Sequence, residues 1–335
     1  MKTRIQHLRN MGFIRRIIPF VLITILFSVS FHSCQKDESI LSANTEADVI
    51  QSGQFKSATN SNDFIVALIL KIENYVTSGD LEPGIANALI SKLENAIKSL
   101  EKGNEQAANN QLQAVVRQLE SLVGNGNIDS EVGEEIIFDT KVIAGENPTF
   151  IDTRDGNEYQ TILIGGQVWM AENLAYATET GSWAYDDDEN NVAIYGRLYN
   201  WNTALTACPN GWHIPTTEEW IELKTFLVDN GYTYDESCIE CIAKSLAATT
   251  NWDDYFDIGT PGNDILSNNS CGFSGLPAGR YGAGEFNYIG RWCTWWSATE
   301  VSVVANTMSL FYSQKTFFFT SGAKELGYSV RCIKD

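Results

Sequence analysis

Cysteine and histidine carry most of the chemistry this chain could perform. There are seven cysteines and three histidines in 335 residues. His7 and His32 fall within the first 33 residues, which leaves His213 for everything downstream. One imidazole cannot build a His-ligated zinc centre or a two-histidine relay. A Ser-His-Asp triad could use His213, but no G-x-S-x-G elbow accompanies it. His213 sits in Gly211-Trp212-His213-Ile214-Pro215, where a partly buried structural role is expected. No catalytic residue is assigned.

Cys34 has a different chemistry. Arg4, Arg9, Arg15 and Arg16 precede the apolar run 17–29, which leads into Phe31-His32-Ser33-Cys34. A basic region, a short apolar core and a small residue before a cysteine form the pattern of a bacterial lipoprotein signal peptide. The run is shorter than the roughly 20 apolar residues that a membrane span needs. Cleavage before Cys34 and its lipidation are therefore expected, with residues 1–33 as leader. Gln35-Lys36-Asp37-Glu38 is similar to the signal that sends some lipoproteins to the outer face of the outer membrane. The expected location is thus the outer membrane, lipid-anchored and surface-exposed.

Removing the leader takes five basic residues away and moves the net charge from −19 to −24. Such an acidic surface repels phosphate backbones, so nucleic acid is not expected as a partner. The remaining cysteines, Cys208, Cys238, Cys241, Cys271, Cys293 and Cys332, are even in number and all follow residue 200. In an exported chain this reads as three disulfides. Cys238-x-x-Cys241 with Cys271 and Cys293 has the ligand count for zinc, but an oxidising compartment favours disulfides. Asp186-Asp187-Asp188-Glu189 offers oxygens to calcium, while mutual repulsion favours a solvated turn. No cofactor or metal is assigned.

Sugar recognition needs rings to stack on and polar groups to meet hydroxyls. Trp183, Tyr185, Tyr281, Phe286, Tyr288 and Trp292 lie near loop segments, with Arg280 and Asp186 close in sequence. The ligand-binding candidates are Trp183, Tyr185, Asp186, Arg280, Tyr281 and Trp292. Trp169, Trp201, Trp212, Trp220, Trp295 and Trp296 are expected to be core.

The elements that position these residues form two modules. Residues 34–61 are polar and read as a tether. Residues 62–137 have helical periodicity: Asp63 can cap a first helix ending at Gly79, Pro83 opens a second ending before Gly103, and Asn104 caps a third ending at Gly124. An amphipathic piece, 128–137, follows. Each helix has one apolar stripe, which predicts a small antiparallel bundle. After Phe138 the pattern changes to short alternating runs, with strands at 161–169, 308–313, 315–320 and 328–333. Helices are expected at 197–207 and from Thr216, where Thr216-Thr217-Glu218-Glu219 is a capping box.

Two resemblances organise these modules. Ile72–Asp80, Ala88–Ala96 and Gly103–Ala108 resemble the FIMAH domain, a helical module of exported bacterial proteins, here expected to act as a spacer. Ile164-Gly165-Gly166-Gln167-Val168-Trp169-Met170-Ala171-Glu172-Asn173-Leu174, Tyr195–Trp201, Cys208–Pro215, Glu218–Trp220, Gly272–Gly279, Trp295–Glu300 and Ser329–Cys332 follow Asp152–Tyr159. In that order they resemble the Fibrobacter succinogenes major paralogous domain over residues 138–335. That resemblance implies a C-type lectin-like fold, whose staple joins the first-helix region to the last strand. It therefore implies a Cys208–Cys332 disulfide. Cys271 and Cys293 flank the Gly-Leu-Pro loop and are expected to pair, and Cys238 with Cys241, although six cysteines allow fifteen connectivities. The Glu-Pro-Asn or Gln-Pro-Asp triplet of calcium-dependent lectins is absent.

The expected fold class is α+β: a small antiparallel helical bundle followed by a disulfide-stapled C-type lectin-like domain. The expected function is non-enzymatic binding of an extracellular glycan or protein, with membrane contact through the N-terminal lipid. A self-assembling surface component is the alternative. A thiol-dependent oxidase of the formylglycine-generating type is the enzyme reading that fold analogy permits, since fold does not fix function.

Overall fold

Helical periodicity and capping residues build the first module. The computed structural model describes residues 58–335 apart from Glu236, so the leader, Cys34 and most of the tether lie outside the described residues. Helices α1 (Ala58–Ser78), α2 (Pro83–Glu101), α3 (Glu105–Gly124) and α4 (Ser130–Ile143) follow one another. Their short connections force successive helices antiparallel. Ile69, Ile72, Leu89, Leu93, Val115, Leu119 and Ile136 fill the core. Pro83 sits in the first turn of α2, and Asn104 caps α3 by accepting from the Ala107 amide at 3.0 Å. Gly103 takes φ +69°, a left-handed conformation that ends α2 without the penalty a side chain would meet. One expectation fails: α1 begins at Ala58, so Asp63 is an interior residue rather than a cap.

The second module is strand-rich. The first strands are β1 (Phe150–Ile151), β2 (Glu158–Tyr159), β3 (Thr161–Ile164), β4 (Gln167–Met170), β5 (Ser182–Trp183), β6 (Leu198–Tyr199) and β7 (Trp212–His213). The later ones are β8 (Ala278–Gly282), β9 (Glu285–Ile289), β10 (Trp292–Val301), β11 (Val304–Phe311), β12 (Phe318–Ala323), β13 (Tyr328–Ser329) and β14 (Ile333–Lys334). Helices α5 (Glu189–Tyr195), α6 (Trp201–Ala204), α7 (Thr217–Asp229) and α8 (Ala243–Leu246) interleave. The larger sheet has the order β12-β11-β10-β13-β6-β5, and a second has β3-β4-β14-β7. Hairpins β1-β2 and β8-β9 stand apart. The fold is α+β: a helical bundle followed by a disulfide-stapled β-rich domain.

Several boundaries differ from the sequence reading. The 161–169 strand folds back at Gly165-Gly166 into the β3-β4 hairpin. The helix expected at 197–207 is replaced by β6, which pairs with β13 and β5, and by the single turn α6. The 315–320 strand is shifted to β12. The 328–333 strand leaves the larger sheet after Ser329 and re-enters the smaller one at Ile333. Val330, Arg331 and Cys332 cross between the sheets with no exposed surface, so both faces of this segment are covered.

Cys208 and Cys332 form a disulfide across 124 residues, as do Cys238 and Cys241. The expected third disulfide is absent: Cys271 and Cys293 are separate buried thiols. Cys271 donates to the Ser245 carbonyl, and Cys293 sits on β10 opposite Leu310 among core residues. Trp169, Trp220, Trp295 and Trp296 are wholly buried, and Trp201 and Trp212 nearly so, as their expected core role requires.

The bundle is clamped to the second module. Phe138 on α4 meets Trp212 edge to face at 6.1 Å, and Phe150 lies 5.0 Å from the same indole. Lys334 on β14 pairs with Asp139 at 3.2 Å, and Asp139 also holds Lys71 at 2.8 Å. Lys71 further pairs with Glu135, which accepts from the Tyr75 hydroxyl. Burial works against the Lys71 charge, yet Asp139 and Glu135 hold its pKa above the ordinary value.

Candidate functional site

The β8-β9 hairpin is the element that gathers the candidate residues. In its register Ala278 opposes Ile289 and Arg280 opposes Asn287, which sets Gly279 opposite Tyr288. Both take positive φ, +69° and +70°. A Cβ on Gly279 would lie 2.5 Å from the Asn287 carbonyl oxygen and 2.8 Å from the Tyr185 ring, so only glycine fits. Tyr288 has no such freedom: a left-handed aromatic residue is a backbone outlier that its surroundings must hold in place.

Those surroundings include an aromatic stack. The Tyr288 ring lies face to face on Trp292, 3.8 Å between centroids and 9° from parallel. Tyr288 stays 39 % exposed, so one face of this stack is open to solvent. Trp292 meets Phe311 at 5.3 Å, and Phe311 meets Phe318 at 5.4 Å. A ladder of half-buried rings thus crosses β9, β10, β11 and β12.

Arg280 lies against this ladder. Its guanidinium carbon is 5.3 Å from the Tyr288 ring centre and 5.6 Å from that of Trp292. Cation–π attraction holds it there. Its Nε is buried without a hydrogen-bond partner. No carboxylate among the described residues forms an ion pair with it, whereas Arg154, Arg197 and Arg291 each have one. Burial raises the pKa of the neighbouring Tyr328 hydroxyl, and a hydrogen bond with Arg280 opposes that shift. An incompletely satisfied guanidinium beside an open aromatic face is able to meet a polar, ring-bearing ligand.

Of the residues nominated from sequence, Arg280 and Trp292 meet in this ledge. Trp183 and Tyr281 stack on each other at 4.4 Å, so each gives one face to its partner. Tyr185 is buried 5.3 Å from Phe286 and is packing. Asp186 is exposed on a single 3-10 turn with φ +56°. The ladder residues Phe311 and Phe318 and the neighbouring Tyr328 were not nominated. Strand alternation could have put Phe311 and Ser309 on one face of β11, but their cross-strand partners are set by long-range register.

The other chemistry-bearing groups have structural partners. His213 bridges Asp335 through Nδ1 at 2.6 Å and Glu219 through Nε2 at 2.9 Å. Burial opposes charge on this ring, but the two carboxylates raise its pKa above the ordinary value. Glu219 closes the expected capping box on Thr216 at the start of α7. Asp188 caps α5 by accepting from the Asn190 amide at 3.0 Å, and Glu189 pairs with Arg197. No group of three or more His, Cys, Asp or Glu side chains is placed to hold a metal among the described residues. Burial pushes the Cys271 thiol up to about 12 and raises Cys293 as well, which suppresses the thiolate in this conformation.

Fold and site together define a two-module α+β protein with an exposed ledge. The family model described as the Fibrobacter succinogenes major domain matches residues 162–334, and the FIMAH domain matches residues 65–144. The chain belongs to the Fibrobacter succinogenes major domain family and carries an N-terminal FIMAH domain. Both are surface-type domains, and together they suggest a protein of cell-surface type. No curated protein and no solved structure matches this chain.

Proposed function

We propose that this chain is a lipid-anchored protein of the outer face of the outer membrane, whose C-terminal domain binds an extracellular glycan without catalysis. Arg280 carries the binding reading: its guanidinium lies against the open Tyr288-Trp292 stack, and among the described residues no carboxylate pairs with it. A sugar ring on Tyr288 would bring hydroxyls toward that cation, which is the division of labour glycan sites use. Sheet crossover at 330–332 and the Cys208–Cys332 staple support the C-type lectin-like reading of the fold. The His213 bridge and the enclosed Cys271 and Cys293 thiols support the non-catalytic part.

Glycan-array screening of the mature chain tests the binding. Tyr288→Ala and Arg280→Gln should each weaken a hit about 10-fold or more, the scale of one lost stacking or charge-assisted contact. A folded protein that binds no glycan would sink this reading, and an extracellular protein ligand or self-association would then replace it. The anchor is tested by mass spectrometry of native protein. An N-terminal peptide beginning at diacylated Cys34, lost in Cys34→Ser, is expected.

A further inference from the structure

A separate cleft of about 570 Å³ opens on the second module, lined by the turn after β1, the segment after β4, and α5. Arg154 and Arg197 face it, with Asp155, Asn157, Tyr176 and Glu189 around them. Arg154 is held from several sides. The wholly buried Asp152 accepts from its Nε at 2.9 Å and from Nη2 at 2.6 Å, and the Ala207 carbonyl accepts from Nη2 at 2.8 Å. Its guanidinium lies 3.8 Å from the Tyr176 ring centre. Nη1 has one long contact, 3.4 Å to the Cys208 carbonyl, so its donors are nearly uncommitted.

Arg197 is built in the same way. Its side chain is only 12 % exposed; Nε donates to the Ala175 carbonyl at 3.2 Å and Nη2 to Glu189. Its Nη1 donors have no partner among the described residues. Both arginines line one concave surface, and each is held in place by a carboxylate and a backbone carbonyl, which is the preorganisation a binding site needs. Asp152 and Glu189 already neutralise these cations, and Asp155 adds a further negative charge. An anionic ligand would meet net repulsion. A neutral ligand that both donates and accepts fits the alternation of guanidinium, amide and carboxylate groups.

We propose that this cleft binds a neutral oligosaccharide, with vicinal hydroxyls accepting from Arg154 and Arg197 and donating to Asp155 and Glu189. The assignment rests on the glycan-binding reading and names a different surface and a ligand class for it. The cleft's volume falls within the range of small-molecule sites, about 300–1,000 Å³.

Calorimetry on the mature chain, with neutral hexose and pentose tetrasaccharides and matching uronate-bearing ones, tests it. Glu189→Gln changes an exposed carboxylate, and Arg197→Lys keeps charge while removing the fork; both should retain wild-type melting. Each is expected to weaken a neutral tetrasaccharide about 10- to 100-fold, the scale of lost charge-assisted hydrogen bonds. The losses in Glu189→Gln and Arg197→Lys should persist when measured in a Tyr288→Ala background, which removes the ledge stack and leaves the cleft as the binding surface. If binding falls only in Tyr288→Ala, the cleft assignment is wrong and the ledge reading stands. Binding of uronate-bearing sugars alone, lost in Arg197→Lys, would overturn the ligand class. No binding of any saccharide would overturn both readings.

Discussion

Removing the Cys208–Cys332 disulfide should cost far more stability than removing Cys238–Cys241, although each is one S–S bond. The first closes a loop spanning 124 residues and the second only 3. Loop-closure entropy in the unfolded chain gives about 5 kcal/mol for the long loop and about 1.5–2 kcal/mol for the short one. At about 1.5–2 °C per kcal/mol for a chain of roughly 300 residues, the Cys208→Ala/Cys332→Ala variant should melt about 8–10 °C lower. The Cys238→Ala/Cys241→Ala variant should fall by about 2–4 °C on the same scale. The tertiary setting points the same way. Cys332 is wholly buried and immediately precedes β14, which lies between β4 and β7. Differential scanning calorimetry of both variants is the assay. Equal losses, or a loss below about 3 °C for the long-range pair, would refute the argument that unfolded-state entropy sets these contributions.

Three further outcomes are expected. Unfolded but unreduced protein lacking Cys34 should titrate two thiols with a thiol reagent, because Cys271 and Cys293 are unpaired; none would restore the third disulfide. The pKa of His213 is raised on folding, so its stabilisation is fully present below the unfolded value of about 6.5 and fades as pH rises through the folded one. His213→Gln should therefore lower the melting temperature clearly at pH 5.5 and little at pH 9, and a pH-independent loss would mean the ring acts by packing alone. Lys334→Ala removes the pair with Asp139 and should cost about 1–2 kcal/mol, with faster proteolysis in the 144–149 connection; unchanged cleavage would show that the Phe138–Trp212 contact alone holds the modules together.

Local signals were legible without coordinates. The stripes of α2 and α3, Pro83 and Asn104 at helix starts, the Thr216–Glu219 capping box and the burial of six tryptophans all follow from interactions within a few residues or from plain apolarity. The Cys208–Cys332 staple followed from resemblance, since spacing alone leaves the pairing open. Other features arise between residues far apart in the chain. Tyr288 stacks on Trp292 because the hairpin distortion opposite Gly279 turns it there. Among the described residues no carboxylate forms an ion pair with Arg280, despite the chain's acidity, because which acidic side chains come near it is set by the fold. Lys334 reaches Asp139, almost 200 positions away, only after the bundle has docked. Cys271 and Cys293 are unpaired although both lie in one core cluster, which their positions in the chain do not show. Periodicity and capping act over one turn of helix or one strand, so a linear chain displays them. Which side chains meet across sheets and modules depends on register and docking, and those exist only once the whole chain has folded.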